Sequence, residues 1–341
     1  MNMTKPKRRK GPAIVALGGG HGLSAILRGL KLYTDDLTAI VTVADDGGGS
    51  GVLREDLGMP PPGDIRSCME ALADTESLMQ RLLAYRFPDG RLAGQAFGNL
   101  LLAALDGISD SFDQAVARMS QVLAITGRIL PVTNSNVQLE AVFDNGSSVR
   151  GESKIFAAKK EQNCRIHHVR LLPEHTPALP AALEAIRRAE VILLGPGSLY
   201  TSVIPNLLVE GIAEAIIDSA ALKIYVCNIM TQDGETEGMT AQDHVSALLE
   251  HGGPGLLDLC LCNSDPVGRE LLERYSAEDA APMVVDSQQV KLLGPDVVYY
   301  PLLDQACGYA RHSGLKVAQA VLDLYEQRAE TKRYSEWLDT L

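Results

Sequence analysis

The chain has 341 residues, 46% of them hydrophobic and 22% charged, with a formal net charge of −12. That apolar share is enough for a full core and excludes a chain disordered throughout. The acidic balance argues against non-specific nucleic-acid binding, which needs clustered cations, and no apolar run reaches the roughly 18 residues of a membrane helix.

At the start, Lys5, Lys7, Arg8, Arg9 and Lys10 form a basic cluster, read as a solvated, disordered tail over residues 1–11. It runs into Gly11-Pro12 and not into a long apolar stretch, so no signal peptide is read and a cytoplasmic location is expected. Short apolar strands then alternate with helical stretches. Ala13 to Leu17 reads as a strand, followed by Gly18-Gly19-Gly20-His21-Gly22 and a helix with Leu23, Ile26, Leu27 and Leu30 at helical spacing. Thr38 to Val43 is a second buried strand, running into Ala44-Asp45-Asp46 and a glycine-rich loop at 47–51.

Helices are predicted over Ile65 to Ala73, Ser77 to Tyr85, Asn99 to Ala104 and Asp113 to Leu123. Gly127 to Gly151 lacks a helical period and reads as antiparallel strands, with Asp144-Asn145-Gly146 as a hairpin turn. Further strands are predicted at Val191 to Leu194, Leu222 to Cys227 and Leu257 to Cys262, with a helix over Val203 to Ile217 and a helical tail from Gly314. Alternation of this kind implies right-handed βαβ crossovers and a parallel sheet. One α/β domain is expected over residues 12–325, with an antiparallel insertion at about 127–172 and a helical tail over 326–341. The six cysteines (Cys68, Cys164, Cys227, Cys260, Cys262 and Cys307) form no Cys-x-x-Cys pair and read as buried, reduced thiols.

Ligands of open parallel sheets bind outside the carboxyl ends of the strands, and here those ends carry Gly, Asp, Asn and Ser. The first glycine loop departs from the dinucleotide fingerprint, because Leu23 stands where the third glycine belongs. Two readings fit it, a phosphate site before a helix N-terminus and a tight turn. His21 there can donate to a phosphate or act as an acid/base. Asp45 and Asp46 suit a hard cation such as Mg²⁺ or a ribose hydroxyl, and also turn formation. Arg54 can pair with phosphate or with these acids, Arg66 can clamp an anion, Asp64 stands where a helix cap belongs, and Asn99 fits both a helix cap and a hydrogen bond to a base or sugar. In Gly195-Pro196-Gly197-Ser198-Leu199-Tyr200-Thr201-Ser202, hydroxyls lie beside backbone N–H groups, a pyrophosphate cradle. No Gly-x-Ser-x-Gly element is present, so a hydrolase triad at Ser198 is rejected.

Taken in order, Leu17 to Ser24, Val41 to Gly48, Pro62 to Arg66, Gly98-Asn99-Leu100, Leu194 to Pro205 and Asn228 to Thr236 resemble the YvcK family of gluconeogenesis factors. That family is related in fold to CofD, the 2-phospho-L-lactate transferase. The resemblance runs from about Ala13 to Leu324. It implies a Rossmann-like three-layer α/β fold with a mainly parallel sheet, and a homodimer. It implies a role in cell shape, growth on gluconeogenic carbon sources and peptidoglycan precursor supply, in contact with cell-envelope synthesis proteins.

The resemblance also implies binding of UDP-sugars such as UDP-N-acetylglucosamine, with Tyr275 and Arg311 on positions that contact this ligand. To these the reading of the strand-end loops adds, as expected ligand residues, Gly18, Gly19, Gly20, His21, Gly22, Asp45, Asp46, Arg66, Asn99, Gly195, Gly197, Ser198, Tyr200, Thr201 and Asn228. Gly49 replaces a serine of the family pattern, and Gln95-Ala96 stand where the family has His-Ser. The lost histidine argues against catalysis through that loop and leaves binding intact. The leading expectation is a regulatory UDP-sugar-binding protein without an organic cofactor. The rival is a CofD-like transferase in which Asp45 and Asp46 hold Mg²⁺ and His21 joins them as a catalytic candidate.

Overall fold

The computed structural model describes residues 11–74, 77–304 and 308–338. The basic cluster before Gly11 and Cys307 lie outside the described residues. The strands are β1 (Ile14–Gly18), β2 (Leu37–Val41), β3 (Arg128–Pro131), β4 (Gln138–Phe143), β5 (Ser148–Arg150), β6 (Ile166–Leu172), β7 (Val191–Leu194), β8 (Leu222–Val226), β9 (Leu259–Asn263), β10 (Asp296–Tyr300), β11 (Leu303–Asp304) and β12 (Arg311–His312). A seven-stranded sheet of order β10-β9-β8-β7-β1-β2-β3 is parallel throughout. Every residue of β1, β2 and β7 is buried, as expected of strands covered on both faces.

The order reverses about β1. The chain steps from β1 outward to β2 and β3, then returns to β7 on the other side of β1 and continues to β10. Right-handed crossovers in opposite directions place their helices on opposite faces, so the sheet is the middle of three layers. Helices Gly20–Leu30, Gly63–Leu72 and Gly314–Leu338 pack together in one outer layer, and helices Pro180–Arg188, Ile204–Leu207, Ile212–Ile217 and Ala241–Gly252 in the other. This is the Rossmann-like α/β fold, with a small antiparallel sheet of order β5-β4-β6 added.

The expected hairpin is present: Gly146, at φ +82°, donates its N–H to the Phe143 carbonyl (2.8 Å) between β4 and β5. Its limits differ from expectation. Arg128–Pro131 is not part of the antiparallel unit but the parallel edge strand beside β2. The insertion also contains a helix, Glu152–Gln162. Its apolar pattern is weak because Ile155 is its one buried residue, which hides the helical period.

The glycine-rich run after Asp46 is not a free loop, since helix Gly48–Leu57 begins within it. The helix read over Val203 to Ile217 is interrupted. A wide turn at Leu199–Val203 leads into Ile204–Leu207, and Gly211, at φ +85°, precedes Ile212–Ile217. Strand β10 was not anticipated. The last helix is continuous from Gly314 to Leu338, with no break at 325.

Candidate functional site

Where the strand order reverses, the helices that follow β1 and β7 leave on opposite faces of the sheet, which is where open parallel sheets bind ligands, at the carboxyl ends of the strands. A cleft of about 820 Å³ opens there, within the range of small-molecule sites. Its floor consists of the two glycine turns pressed together. A Cβ at Gly22 would overlap the Pro196 carbonyl, and one at Gly19 would overlap the Asp64 carboxyl group. Gly20, at φ +61°, is held in a left-handed conformation that side chains resist. The contact between these turns therefore explains the glycines. Gly18 and Gly195 lie beneath, facing each other, and do not line the cleft.

Helix Gly20–Leu30 has Gly19 as its N-cap, which brings no capping side chain of its own, and its first turn faces the cleft. Asp64, from the first turn of Gly63–Leu72, receives the Gly20 N–H. The second glycine run brings helix Gly48–Leu57 to the same point: Gly47 donates its N–H to Asp45 Oδ1 (2.8 Å), and Ser50 hydrogen-bonds the same carboxylate. Unsatisfied first-turn N–H groups and the positive end of the dipole favour anions at such a place.

Asp45 and Asp64, at these helix starts, line the cleft together with Glu152 and form an acidic trio. Burial, reinforced by the neighbouring carboxylates, holds their carboxyl groups above the ordinary range. Asp64 is pushed up to about 6 and Glu152 to about 8, and Asp45 is raised. Like charges crowded in a half-dry site resist ionising together, and a bound cation would relieve them. Asp46 stands apart. Adjacent side chains on an extended backbone diverge, and Asp46 Oδ1 accepts the Ser153 N–H (2.8 Å) outside the cleft. It anchors the insertion helix, whose next residue toward the N-terminus is Glu152. The Asp45–Asp46 pair is thus one cleft acid and one anchor; the second acid, Asp64, comes from a helix start, and the third, Glu152, from an insertion that no sequence motif flags.

The loop after β7 is held from behind. Asn228 Nδ2 donates to the Gly197 carbonyl (2.9 Å), and Ser198 Oγ donates to Gln232 Oε1 (2.7 Å). Buried Glu235 accepts the N–H groups of Tyr200 (2.8 Å) and Thr201 (3.1 Å). These two amides are therefore already occupied, which removes them from the expected phosphate cradle. Burial pushes Glu235 up to about 7 against the lowering effect of those N–H donors. Gly197, Ser198, Thr201 and Asn228 line the cleft, and Tyr200 is buried beneath it.

Tyr275, on helix Arg269–Ser276, and Arg311, on β12, line the far wall. The Ala310 N–H donates to the Tyr275 hydroxyl (3.2 Å), which ties the two segments together. Arg311 lies over the Tyr309 ring at 5.1 Å. Partial burial, then the charges of Arg311 and Arg66, hold the His21 imidazole below its ordinary pKa, so it is neutral near pH 7. Arg66 itself does not line the cleft: its Nε donates to Asn99 Oδ1 (2.9 Å) and its guanidinium pairs with Glu70. These two predicted ligand residues satisfy each other. Arg54 is buried and donates to the Val137 and Asp45 carbonyls, so it lies off the cleft lining and its hydrogen bonds go to backbone and not to the acids' side chains. His312 lines the cleft and was missed by the sequence reading; burial brings its pKa down to about 4.

Residues 14–303 match the family of CofD, 2-phospho-L-lactate transferase. A relative from Thermoanaerobacterium thermosulfurigenes is 51% identical over 316 residues, which is 93% of this chain and 98% of its own. The Gluconeogenesis factor of Bacillus subtilis is 46% identical over 317 residues, 93% of this chain and 99% of its own. A crystal structure described as a member of the UPF0052 family from Bacillus halodurans superposes with a TM-score of 0.89 at 44% identity, covering 92% of this chain and all of that one. No helix among the described residues is long and apolar enough to cross a membrane. With its reversed parallel sheet, its paired glycine turns and these relatives across almost all its length, the chain belongs to the CofD family, alongside the gluconeogenesis factors.

Proposed function

We propose that the cleft binds a UDP-sugar of the UDP-N-acetylglucosamine type, and that the protein acts as a regulator supporting cell shape and growth on gluconeogenic carbon sources. The observation that carries the reading is the division of a single cleft into three chemistries. Glycine turns and a helix N-terminus whose Gly20 N–H is taken by Asp64 but whose N-cap has no side chain suit a pyrophosphate at its centre. Asp45, Asp64 and Glu152 suit a divalent cation on one side, Mg²⁺ being the hard ion that oxygen ligands and diphosphates prefer. Tyr275 offers a ring and a hydroxyl to a base, and Arg311 a fork for phosphate, on the other. The relatives named gluconeogenesis factors support the growth role. A homodimer and contact with cell-envelope synthesis proteins belong to the same reading.

The acidic trio favours a second reading, metal-dependent transfer of a phosphorylated group, in which the cation neutralises developing charge. One experiment separates the two. The protein is titrated calorimetrically with UDP-N-acetylglucosamine, with and without Mg²⁺, and the mixture is assayed for products. Saturable binding of intact ligand supports the regulator, consumption of ligand supports the transferase, and no heat in either condition overturns the UDP-sugar assignment.

A further inference from the structure

Behind the cleft, three cysteines meet at the carboxyl ends of β8 and β9. Cys260 and Cys262 alternate along β9 and so share one face of the sheet. Cys227 directly follows β8, and its N–H donates to the Leu261 carbonyl (3.0 Å), which sets it level with the gap between them. The Cys260 and Cys262 sulfurs are 3.6 Å apart, and all three sulfurs lie within 4.8 Å of one another. All three are free thiols, each no more than 1% exposed.

We propose that Cys227, Cys260 and Cys262 form a binding site for a soft divalent metal ion, zinc being the ion they fit. Zinc–thiolate bonds of about 2.3 Å in tetrahedral geometry place sulfurs roughly 3.8 Å apart, so small side-chain rotations suffice to close three sulfurs on one ion. No fourth His, Cys, Asp or Glu joins them among the described residues. A cavity of about 340 Å³ borders Cys227 and Cys262, and it gives a water molecule room to take the fourth position. Three protein ligands with an open fourth place is a known zinc arrangement. Charge favours a divalent ion: three thiolates with Zn²⁺ leave one net negative charge in an apolar setting, whereas a monovalent ion leaves two.

The surroundings suit a bound ion. His312 Nε2 lies 3.1 Å from the Cys227 carbonyl and steadies that strand end. The residue after Cys227 is Asn228, which holds Gly197 of the cleft loop, so an ion here would brace the back of the cleft. The site stands on its own residues and does not depend on the UDP-sugar reading.

The test uses the full chain, reduced and stripped with a chelator, titrated with Zn²⁺ against a chromophoric competitor. Excess Mg²⁺ keeps the carboxylate trio occupied. One tightly bound zinc per chain is expected, and Co²⁺ in its place should give thiolate-to-cobalt charge-transfer absorption in the near ultraviolet. Cys260→Ala and Cys262→Ala should lose that equivalent, while Cys164→Ser, remote from the trio, should keep it. Since a core variant can fail to fold, the cobalt spectrum of the unaltered protein decides independently: no charge-transfer band overturns the proposal. Equal zinc uptake by the Cys260→Ala/Cys262→Ala double variant, shown folded by its circular dichroism, overturns it as well.

Discussion

Arg311 carries the one guanidinium on the cleft wall that the sequence reading had named for the ligand, and it stays free of carboxylate partners among the described residues. Arg66 had been named too, yet it is spent on Asn99 and Glu70. Arg311→Ala is therefore expected to weaken UDP-N-acetylglucosamine binding by about 1–3 kcal/mol, the value of a lost charge-assisted bond. Arg66→Ala should act mainly on stability. Calorimetric dissociation constants for both variants check this, and an unchanged constant for Arg311→Ala would remove that residue from the site.

Glu152 supplies a pH prediction at the same scale. Its pKa is pushed up from 4.5 to about 8, by burial first and by Asp45 and Asp46 next. A folded pKa above the unfolded one means that the proton favours the folded state. That contribution is complete below pH 4.5 and disappears as pH rises through about 8. Without Mg²⁺, Glu152→Gln should therefore melt well above the parent at pH 9 and close to it only at about pH 4. A melting difference that does not change with pH would contradict the raised pKa. On the proposed reading Mg²⁺ would compete with these protons, and its affinity for the parent should rise between pH 6 and pH 9 as Asp64 and then Glu152 ionise.

At the scale of elements, helices Gly20–Leu30 and Gly314–Leu338 cross with backbones nearly touching. A Cβ at Gly29 would overlap the Gly314 carbonyl, and one at Gly314 would overlap the Ala25 carbonyl. Gly29→Ala thus forces two helices apart, and overpacking of this kind costs about 1–3 kcal/mol. Thermal or urea unfolding measures it, and an unchanged midpoint would show that the crossing yields freely. Asn228→Ala should act differently. It removes the clamp on Gly197 and so weakens ligand binding more than stability, which the same two measurements separate.

The elements also show how local signals fail. Helix Glu152–Gln162 was not read because it buries almost nothing, so its stripe is missing. Strand β3 was assigned to the wrong sheet because a short apolar run, here Ile129, Leu130 and Pro131 behind an exposed Arg128, looks alike in parallel and antiparallel pairing. The break at Gly211 was overlooked because a single glycine inside an apolar pattern costs a helix only about 1 kcal/mol, too little to decide from pattern alone.

For the whole molecule, the cleft exists because the chain starts in the middle of its sheet and fills the two sides in turn. A ligand seated there contacts loops from both halves, so it binds the folded chain and not the unfolded one. At about 100 times its dissociation constant it should stabilise the fold by about 2.7 kcal/mol. UDP-N-acetylglucosamine with Mg²⁺ should accordingly raise the denaturation midpoint of the parent, and much less that of Arg311→Ala. An equal rise in both would place the ligand elsewhere.

The sequence by itself determined the fold class and the strand ends at which the cleft opens. Alternating apolar strands and helices specify a parallel α/β sheet, and glycine, aspartate and asparagine at strand ends mark where a ligand can lie, because both signals are local and repeat along the chain. Only the tertiary structure decided which named residues meet. Asp46 turns away, Arg66 and Asn99 satisfy each other, and Glu235 occupies two amides of the third glycine loop. Glu152 enters from an insertion, and Cys227 joins Cys260 and Cys262 from a neighbouring strand. Those are pairings between segments far apart in the chain, set by strand order and packing, and no local pattern of residues encodes them.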